Sequence, residues 1–404
     1  MVSVKEQYEA FPYPERDPED EKTRLITGSP SHPLEMDHFL WRGRRDWSQP
    51  LRVLVAGGGT GDGLIQLATL LDKAGAVAEI TYLDLSTASR AVAEARARVR
   101  GLTNISFHTA SLLDAAEYGA FDYIDCCGVL HHLPDPAEGF RALRAALAPG
   151  GGMGFMVYAP YGRSGVYPLQ EAFGALFEGL PAAERLERAK TIAATLPEGH
   201  PFASNRNLGD HHKSDAGFYD LLLHGQDRAF SVPDLLEILG ETGWELASFT
   251  TPAIYDLGQI TEVPEGMGRP EQMALAEKLR GTIRMHTAYA VPQGTGTTSA
   301  KGTDRSLVPH LRGVQRQALA KAVAQGRSLP LRIGQLTAEI TLPRSAAPVL
   351  AAIDGRRNLT EIAGAAGLDA LGFGTVWAQV EAALAPWGLL LYSGLLRTGE
   401  RAPK

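Results

Sequence analysis

Three glycines and a carboxylate have the clearest chemical purpose in this chain. In LRVLVAGGGTGDG, Gly57, Gly59 and Gly61 take alternate positions after an apolar run. Glycines there let the backbone turn tightly from a strand into a helix and approach a bound nucleotide without an intervening Cβ. Asp84 follows Gly61 by 23 residues, at the end of the next apolar run, AEITYLDLS. A carboxylate at that point can accept hydrogen bonds from both hydroxyls of a ribose. The dinucleotide pattern GxGxxG would need a third glycine at position 62, where Asp62 stands. A carboxylate beside a pyrophosphate repels it, so a pyrophosphate-bearing cofactor is disfavoured.

A second group of residues is suited to handling an acceptor. His131 and His132 lie in the loop from Gly128 to Pro136 and are candidates for a base or a polar clamp; the alternative is a structural loop histidine. His211, His212, Asp215, Tyr219, Asp220, His224, Asp227 and Arg228 form a dense polar set, with Tyr219 and Asp220 read as helical neighbours of His224. Tyr158, Tyr161 and Arg163 border the same mouth, fitted to pack around an amine or bind a carboxylate. Tyr8, Phe11, Tyr13 and Pro14 suggest an aromatic flap within residues 1–50. No metal is expected: the histidine pairs lack HxxxH spacing, and adjacent side chains of a strand point apart.

These residues need a scaffold, and from residue 51 short apolar runs alternate with helical stretches, as in a parallel α/β sheet. Strands are predicted at Arg52 to Ala56, AEITYLDLS, the short run ISFHTASLLD, FDYIDCCGVL, MGFMVYAP, WELASFTT and HTAYAVP, closing a seven-strand domain over 51–293. Residues 161–228 interrupt the alternation with two predicted helices, Val166 to Glu178 and Ala182 to Thr195, and read as a helical lid over the carboxyl ends of the strands. QGTGTTSAKGTDRS reads as a linker, 294–306. The remaining 307–404 fit a small winged-helix-like α+β module.

Composition narrows the possibilities. The chain has 404 residues with 39 Lys+Arg against 46 Asp+Glu, a net charge of -7 that disfavours a nucleic-acid partner. In the terminal module only Arg356 and Arg357 are adjacent basic residues, so protein contact, homodimerisation or peptide docking is expected there instead. No apolar run reaches bilayer-spanning length and no secretory signal is read at the start, so no membrane association is expected. Cys126 and Cys127 are adjacent and are the only cysteines, which fits a reduced, cytoplasmic setting.

The motifs carry a family resemblance. VLVAGGGTG, YLDLS, FDYIDCCGVLHHLPDP and LAPGGGMGFMVY resemble successive motifs of the class I S-adenosylmethionine-dependent methyltransferases, closely over residues 50–160 and by topology to 293. The resemblance implies a Rossmann-like seven-stranded sheet and S-adenosyl-L-methionine as cofactor. It also implies cofactor contacts at Gly57, Gly59, Gly61, Asp84, Ser111, Leu112 and Gly128, with Ser111 and Leu112 beside adenine. Val55 and Ala110-Ser111 depart from it, each losing a carboxylate that family members often have. YEAFPYPERDP and DLLLHGQDRAFSVPDLLEIL are similar to segments of bacterial members that include protein-lysine methyltransferases with a trailing helical module and tetratricopeptide-linked enzymes.

The expected activity is methyl transfer to a nitrogen, oxygen or sulfur of a small molecule held under the lid. His131 and His132 are the catalytic candidates, and Tyr158, Tyr161, Arg163, Tyr219 and His224 the substrate-binding ones. A protein lysine side chain is the alternative acceptor. A cofactor-binding sensor acting through the terminal module, and a nicotinamide-dependent oxidoreductase that conflicts with Asp62, are the readings from other classes.

Overall fold

The computed structural model describes residues 4–400; residues 1–3 and 401–404, at the ends of the predicted flap and terminal module, lie outside the described residues. The chain begins with α1 (Val4–Ala10) and α2 (Pro33–Leu40), and then enters an alternating α/β unit. Its elements are β1 (Leu51–Ala56), α3 (Asp62–Ala74), β2 (Ala78–Asp84), α4 (Thr87–Val99), β3 (Ile105–Thr109), β4 (Phe121–Cys127), α5 (Pro136–Ala145) and β5 (Leu147–Tyr158). Three helices follow, α6 (Val166–Leu176), α7 (Ala182–Ala193) and α8 (Asp215–Leu222). The sheet is then completed by α9 (Val232–Glu241), β6 (Trp244–Phe249), α10 (Arg269–Arg280) and β7 (Met285–Pro292).

The seven strands run in the order β3-β2-β1-β4-β5-β7-β6, parallel except for β7, which lies antiparallel between β5 and β6. Strand alternation divides the core between the two faces of the sheet. In β1, Leu51, Val53 and Val55 pack on one face with Leu64, Leu67 and Tyr82, while Leu54 and Ala56 pack on the other with Phe140, Phe155 and Trp244. This places the ends of β1, β2, β4 and β5 along one edge, where an open α/β sheet binds its ligands.

α8 lies beyond the two predicted helices, where Tyr219, Asp220 and His224 are expected to share a helix face. Ser214 caps it by accepting the Gly217 amide, and it ends at Leu222, so His224 stands beyond it rather than on its face. α6 to α8 share an apolar core of Val166, Leu169, Phe173, Leu186, Phe218 and Tyr219, against which Phe11 of the N-terminal segment packs.

The C-terminal unit comprises β8 (Pro309–Leu311), α11 (Arg316–Ala324), β9 (Leu329–Ile333), β10 (Leu336–Ile340), α12 (Ala347–Ala352), α13 (Leu359–Ala365), α14 (Ala370–Leu384) and β11 (Leu390–Tyr392). The β9-β10 hairpin lies between α11 and α12, and β11 pairs antiparallel with β8. This unit is tied to α2. The buried Asp37 carboxylate accepts from Trp47 Nε1 at 2.9 Å, Ser393 Oγ at 2.7 Å and the amides of Arg45 and Gly394. The stretch 294–306 is pinned to the same helix: Thr298 Oγ1 donates to the Phe39 carbonyl at 2.6 Å and the Ala300 amide to that of His38 at 2.8 Å.

Candidate active site

The turn from β1 to α3 is held by its own backbone. The amides of Gly57 and Gly58 donate to the Leu83 carbonyl at 2.8 and 3.1 Å, that of Gly59 to Asp84 Oδ2 at 2.8 Å, and that of Gly61 to the Gly58 carbonyl at 2.9 Å. Gly57 has φ +68°, and a Cβ there would lie 2.5 Å from Val129, so this position requires glycine. These four amides are thereby spent within the βα turn and on β2.

The reasoning from Asp62 needs correction. Its carboxylate is bound by Arg16 Nη2 at 2.6 Å and by Arg96 Nη1 at 2.8 Å. Burial alone would raise its pKa, but the Arg16 hydrogen bond and the charges of both arginines outweigh burial and hold the carboxyl below its ordinary value. Asp62 is thus a paired carboxylate rather than a bare one.

Asp84 is suited to a ribose. Its Oδ1 accepts the Ser86 amide at 2.8 Å while Oδ2 accepts that of Gly59, which orients the group and leaves each oxygen a lone pair for a hydroxyl. Burial raises its pKa against those two bonds. Ser111 Oγ accepts the Leu113 amide at 3.1 Å and caps the following turn, keeping its own hydrogen to donate. The Leu112 side chain is buried in the core, so only its backbone can face a ligand. Gly128, at φ +82°, donates its amide to Met156 and starts the loop that carries both histidines.

The carboxylate missing at Val55 has a neighbour that the sequence reading passed over. Asp125 of β4 pairs in register with Val55, is 3% exposed, and lies against Gly63, where a Cβ would collide with it. Burial pushes its carboxyl up to about 7.

The N-terminal segment crosses this loop. The Glu9 carboxylate accepts the Thr87 amide at 2.6 Å and the Ala88 amide at 3.2 Å, capping α4. Ser86 Oγ donates to the Tyr8 carbonyl at 3.1 Å, and Thr60 Oγ1 to that of Pro14 at 2.6 Å. Farther along, Arg16 reaches Asp62, and fully buried Arg96 bridges Asp62 to Glu21, whose other oxygen binds Arg100.

Beside the loop, eight residues from distant parts of the chain form a polar cage. Asp220 is 3% exposed and accepts from Tyr8 Oη at 3.0 Å and from Tyr158 Oη at 3.1 Å. Burial raises its pKa above the ordinary carboxylate range. The His132 and His224 rings stack at 3.7 Å, and His131 lies 4.0 Å from Tyr158. His132 Nδ1 is 2.8 Å from the Gln226 carbonyl, which fixes the proton there and leaves Nε2 as an acceptor. Arg163 lies 3.6 Å over the Tyr158 ring and pairs with Asp227 at 2.8 Å. Burial, then the neighbouring His132 and Arg163, pushes His131 well below the usual histidine range.

The cage brings together His131, His132, Tyr158, Arg163 and His224, but two predicted members stand elsewhere. Tyr161 is half-buried and has Glu277 and Asp234 as its charged neighbours, on the side of α9 and α10. Tyr219 turns its ring onto Phe11 at 5.0 Å, inside the core of the inserted helices; helical geometry sends its neighbour Asp220 to the cage instead. His211 packs on Phe202, and Asp215 pairs with Lys190.

The spacing argument against clustered histidines also needs correction. His131 and His132 lie in a 3-10 turn, not a strand, and their rings approach to 4.1 Å. Ligand atoms of His131, His132 and Asp227, and those of His132, Asp220 and His224, fall within 4.8 Å of one another. The second set is a poor ligand group: His224 Nδ1 accepts the Gln226 amide at 3.1 Å, so the neutral ring carries its proton on Nε2 and directs an N–H into the cage.

Comparison with known proteins converges on the same loop. Residues 54–153 match the model of a methyltransferase domain. An uncharacterised protein of Synechococcus sp. is 31% identical over 263 residues, 60% of this chain and 58% of that protein. A ubiquinone biosynthesis O-methyltransferase of Sodalis glossinidius is 31% identical over 122 residues, 30% of this chain and 45% of that enzyme. The chain thus spans about half the length of the curated relatives it matches. The structure of PKMT2 from Rickettsia typhi, solved also in complex with AdoHcy, aligns with a TM-score of 0.61 at 15% identity, over 92% of this chain and 76% of that one. Among the described residues no helix is long and apolar enough to cross a membrane. Residues 54–153 thus carry the match to a methyltransferase domain on a Rossmann-like sheet, and S-adenosyl-L-methionine is the cofactor to which these comparisons point.

Proposed function

We propose that this protein transfers a methyl group from S-adenosyl-L-methionine to a small-molecule acceptor bound beneath α6 to α8. The observation that carries the reading is the contact of the cofactor loop with the N-terminal segment, whose Tyr8 also enters the cage. Donor and acceptor pockets are thereby built onto one wall. When bound, the cofactor supplies a sulfonium-activated methyl group that needs only an aligned acceptor. Asp84 orients the ribose, the loop and flap exclude water, and His132 Nε2 takes a proton from an acceptor that arrives protonated.

A protein side chain of the lysine type is the second reading. It is supported by the similarity of the YEAFPYP and DLLLHGQDRAF segments to protein-lysine methyltransferases, and by the likeness in fold to PKMT2 along nearly the whole chain. Incubating the full chain with radiolabelled cofactor and cell extract tests the function. Label in the metabolite fraction is expected, label in protein selects the second reading, and no transfer with no binding of S-adenosylhomocysteine overturns both.

A further inference from the structure

The cage holds three charged side chains in near-complete burial: Asp220, Asp227 and Arg163. Arg163 is spent on Asp227 Oδ2, where Gln170 Nε2 also donates at 3.0 Å. Asp220 receives only the hydroxyls of Tyr8 and Tyr158, neutral phenols that burial and Asp220 itself keep from ionising. Asp220 and Asp227 thus share one guanidinium, so the cluster holds one carboxylate more than it has arginine or lysine charges in a dry setting, which is costly unless a cation joins it. The hydrogen-bond inventory is also incomplete. Asp227 Oδ1 and both ring nitrogens of His131 are buried without a partner. Both residues belong with His132 to a group whose ligand atoms, one from each residue, lie within 4.8 Å of one another.

Resting on the methyl-transfer reading, we propose that the acceptor is an amine, bound as its ammonium with Asp220 as counter-charge and with Asp227 Oδ1 and the histidines as hydrogen-bond partners. An ammonium supplies the one positive charge and the several donors that the cage lacks. A carboxylate or phenolate acceptor would add a second unbalanced negative charge. A divalent metal at His131, His132 and Asp227 would have to share Asp227 with the fixed guanidinium of Arg163.

An ammonium has no lone pair to attack with. One N–H proton passes to His132 Nε2, whose Nδ1 proton is held by the Gln226 carbonyl. The freed nitrogen pair forms the new N–C bond to the methyl carbon as the C–S bond breaks, and that bonding pair stays on sulfur as a thioether. The product leaves as an N-methylated ammonium, and His132 returns its proton to solvent.

The test uses the full chain with radiolabelled S-adenosylmethionine and two portions of one extract, one untreated and one with its amines blocked by acetylation. Transfer to the untreated portion, lost on blocking, is expected; separating metabolites from protein shows whether the amine is free or a lysine side chain. Transfer that survives blocking overturns the proposal while leaving methyl transfer intact, whereas no transfer to either portion overturns the methyl-transfer reading itself. Asp220→Asn gives a second arm. Turnover is expected to fall about 100-fold, the order for losing a charge-assisted bond in a dry site, with S-adenosylhomocysteine binding kept as the check on folding. If Asp220→Asn weakens S-adenosylmethionine but not S-adenosylhomocysteine, the charge serves the sulfonium and the proposal fails. Should that variant not fold, Tyr8→Phe, which frees one oxygen of Asp220, must change turnover without changing S-adenosylhomocysteine affinity. A stoichiometric metal found in the purified protein also overturns it.

Discussion

Gly57 to Gly61 and Asp84 come from one βαβ stretch, whereas the cage takes Tyr8 from α1, His131 and His132 from the loop after β4, Tyr158 from β5, and Asp220 and His224 from the inserted segment. Both regions sit at the carboxyl ends of the parallel strands. In the first, hydrogen bonds between neighbouring turns fix the geometry, so the loop is a local solution that many chains can share. In the second, two phenols and a carboxylate meet across 62 and 212 residues of sequence, so the cage exists only once the sheet, the inserted helices and the N-terminal segment have assembled. On the proposed function, the loop holds the donor and the cage receives the acceptor.

Perturbing the cage should therefore cost stability, and perturbing the loop should cost affinity. The largest effect is expected from Arg163→Ala, which leaves Asp227 charged and buried with only Gln170 beside it. A loss of about 3–5 kcal/mol in urea unfolding is expected. Asp84→Ala should move stability little but weaken S-adenosylhomocysteine binding about 100-fold by calorimetry, through loss of two charge-assisted ribose bonds and of the Gly59 anchor.

Asp125 supplies a pH test at the border of the two regions. Its folded value of about 7 lies above the ordinary carboxylate value, so the folded state holds that proton more tightly than the unfolded chain does. The penalty for ionising it grows as pH rises from about 4 towards 7 and is complete above that. Asp125→Asn should therefore stabilise the protein by about 4 kcal/mol at pH 8, with most of the gain gone near pH 4. The smallest effect belongs to Arg16→Ala. Opening the link to Asp62, which Arg96 continues to hold, should speed cofactor dissociation about threefold to tenfold in stopped flow with little change in melting temperature.

What the sequence revealed follows the same division. All seven strands were legible from apolar runs and their glycine boundaries, because those signals are local. The glycine loop and Asp84 were legible for the same reason. Asp220 was visible only as one of eight polar residues in the inserted segment, since nothing in its spacing shows that Tyr8 and Tyr158 converge on it. Tyr219 was preferred to it, and one step along a helix exchanged a core position for a cage position. Asp62 carries the same lesson: its partners Arg16 and Arg96 are remote in sequence, so a paired carboxylate read as a bare one.

The separation of donor and acceptor sites is tested most directly by titrating S-adenosylhomocysteine into the wild-type protein, Asp84→Ala and Asp220→Asn by calorimetry. Binding by the wild type, a roughly 100-fold loss in Asp84→Ala and a Kd within about threefold of wild type in Asp220→Asn are the predicted results. Equal affinity in Asp84→Ala and wild type, or loss of binding in Asp220→Asn as large as in Asp84→Ala, would contradict the account.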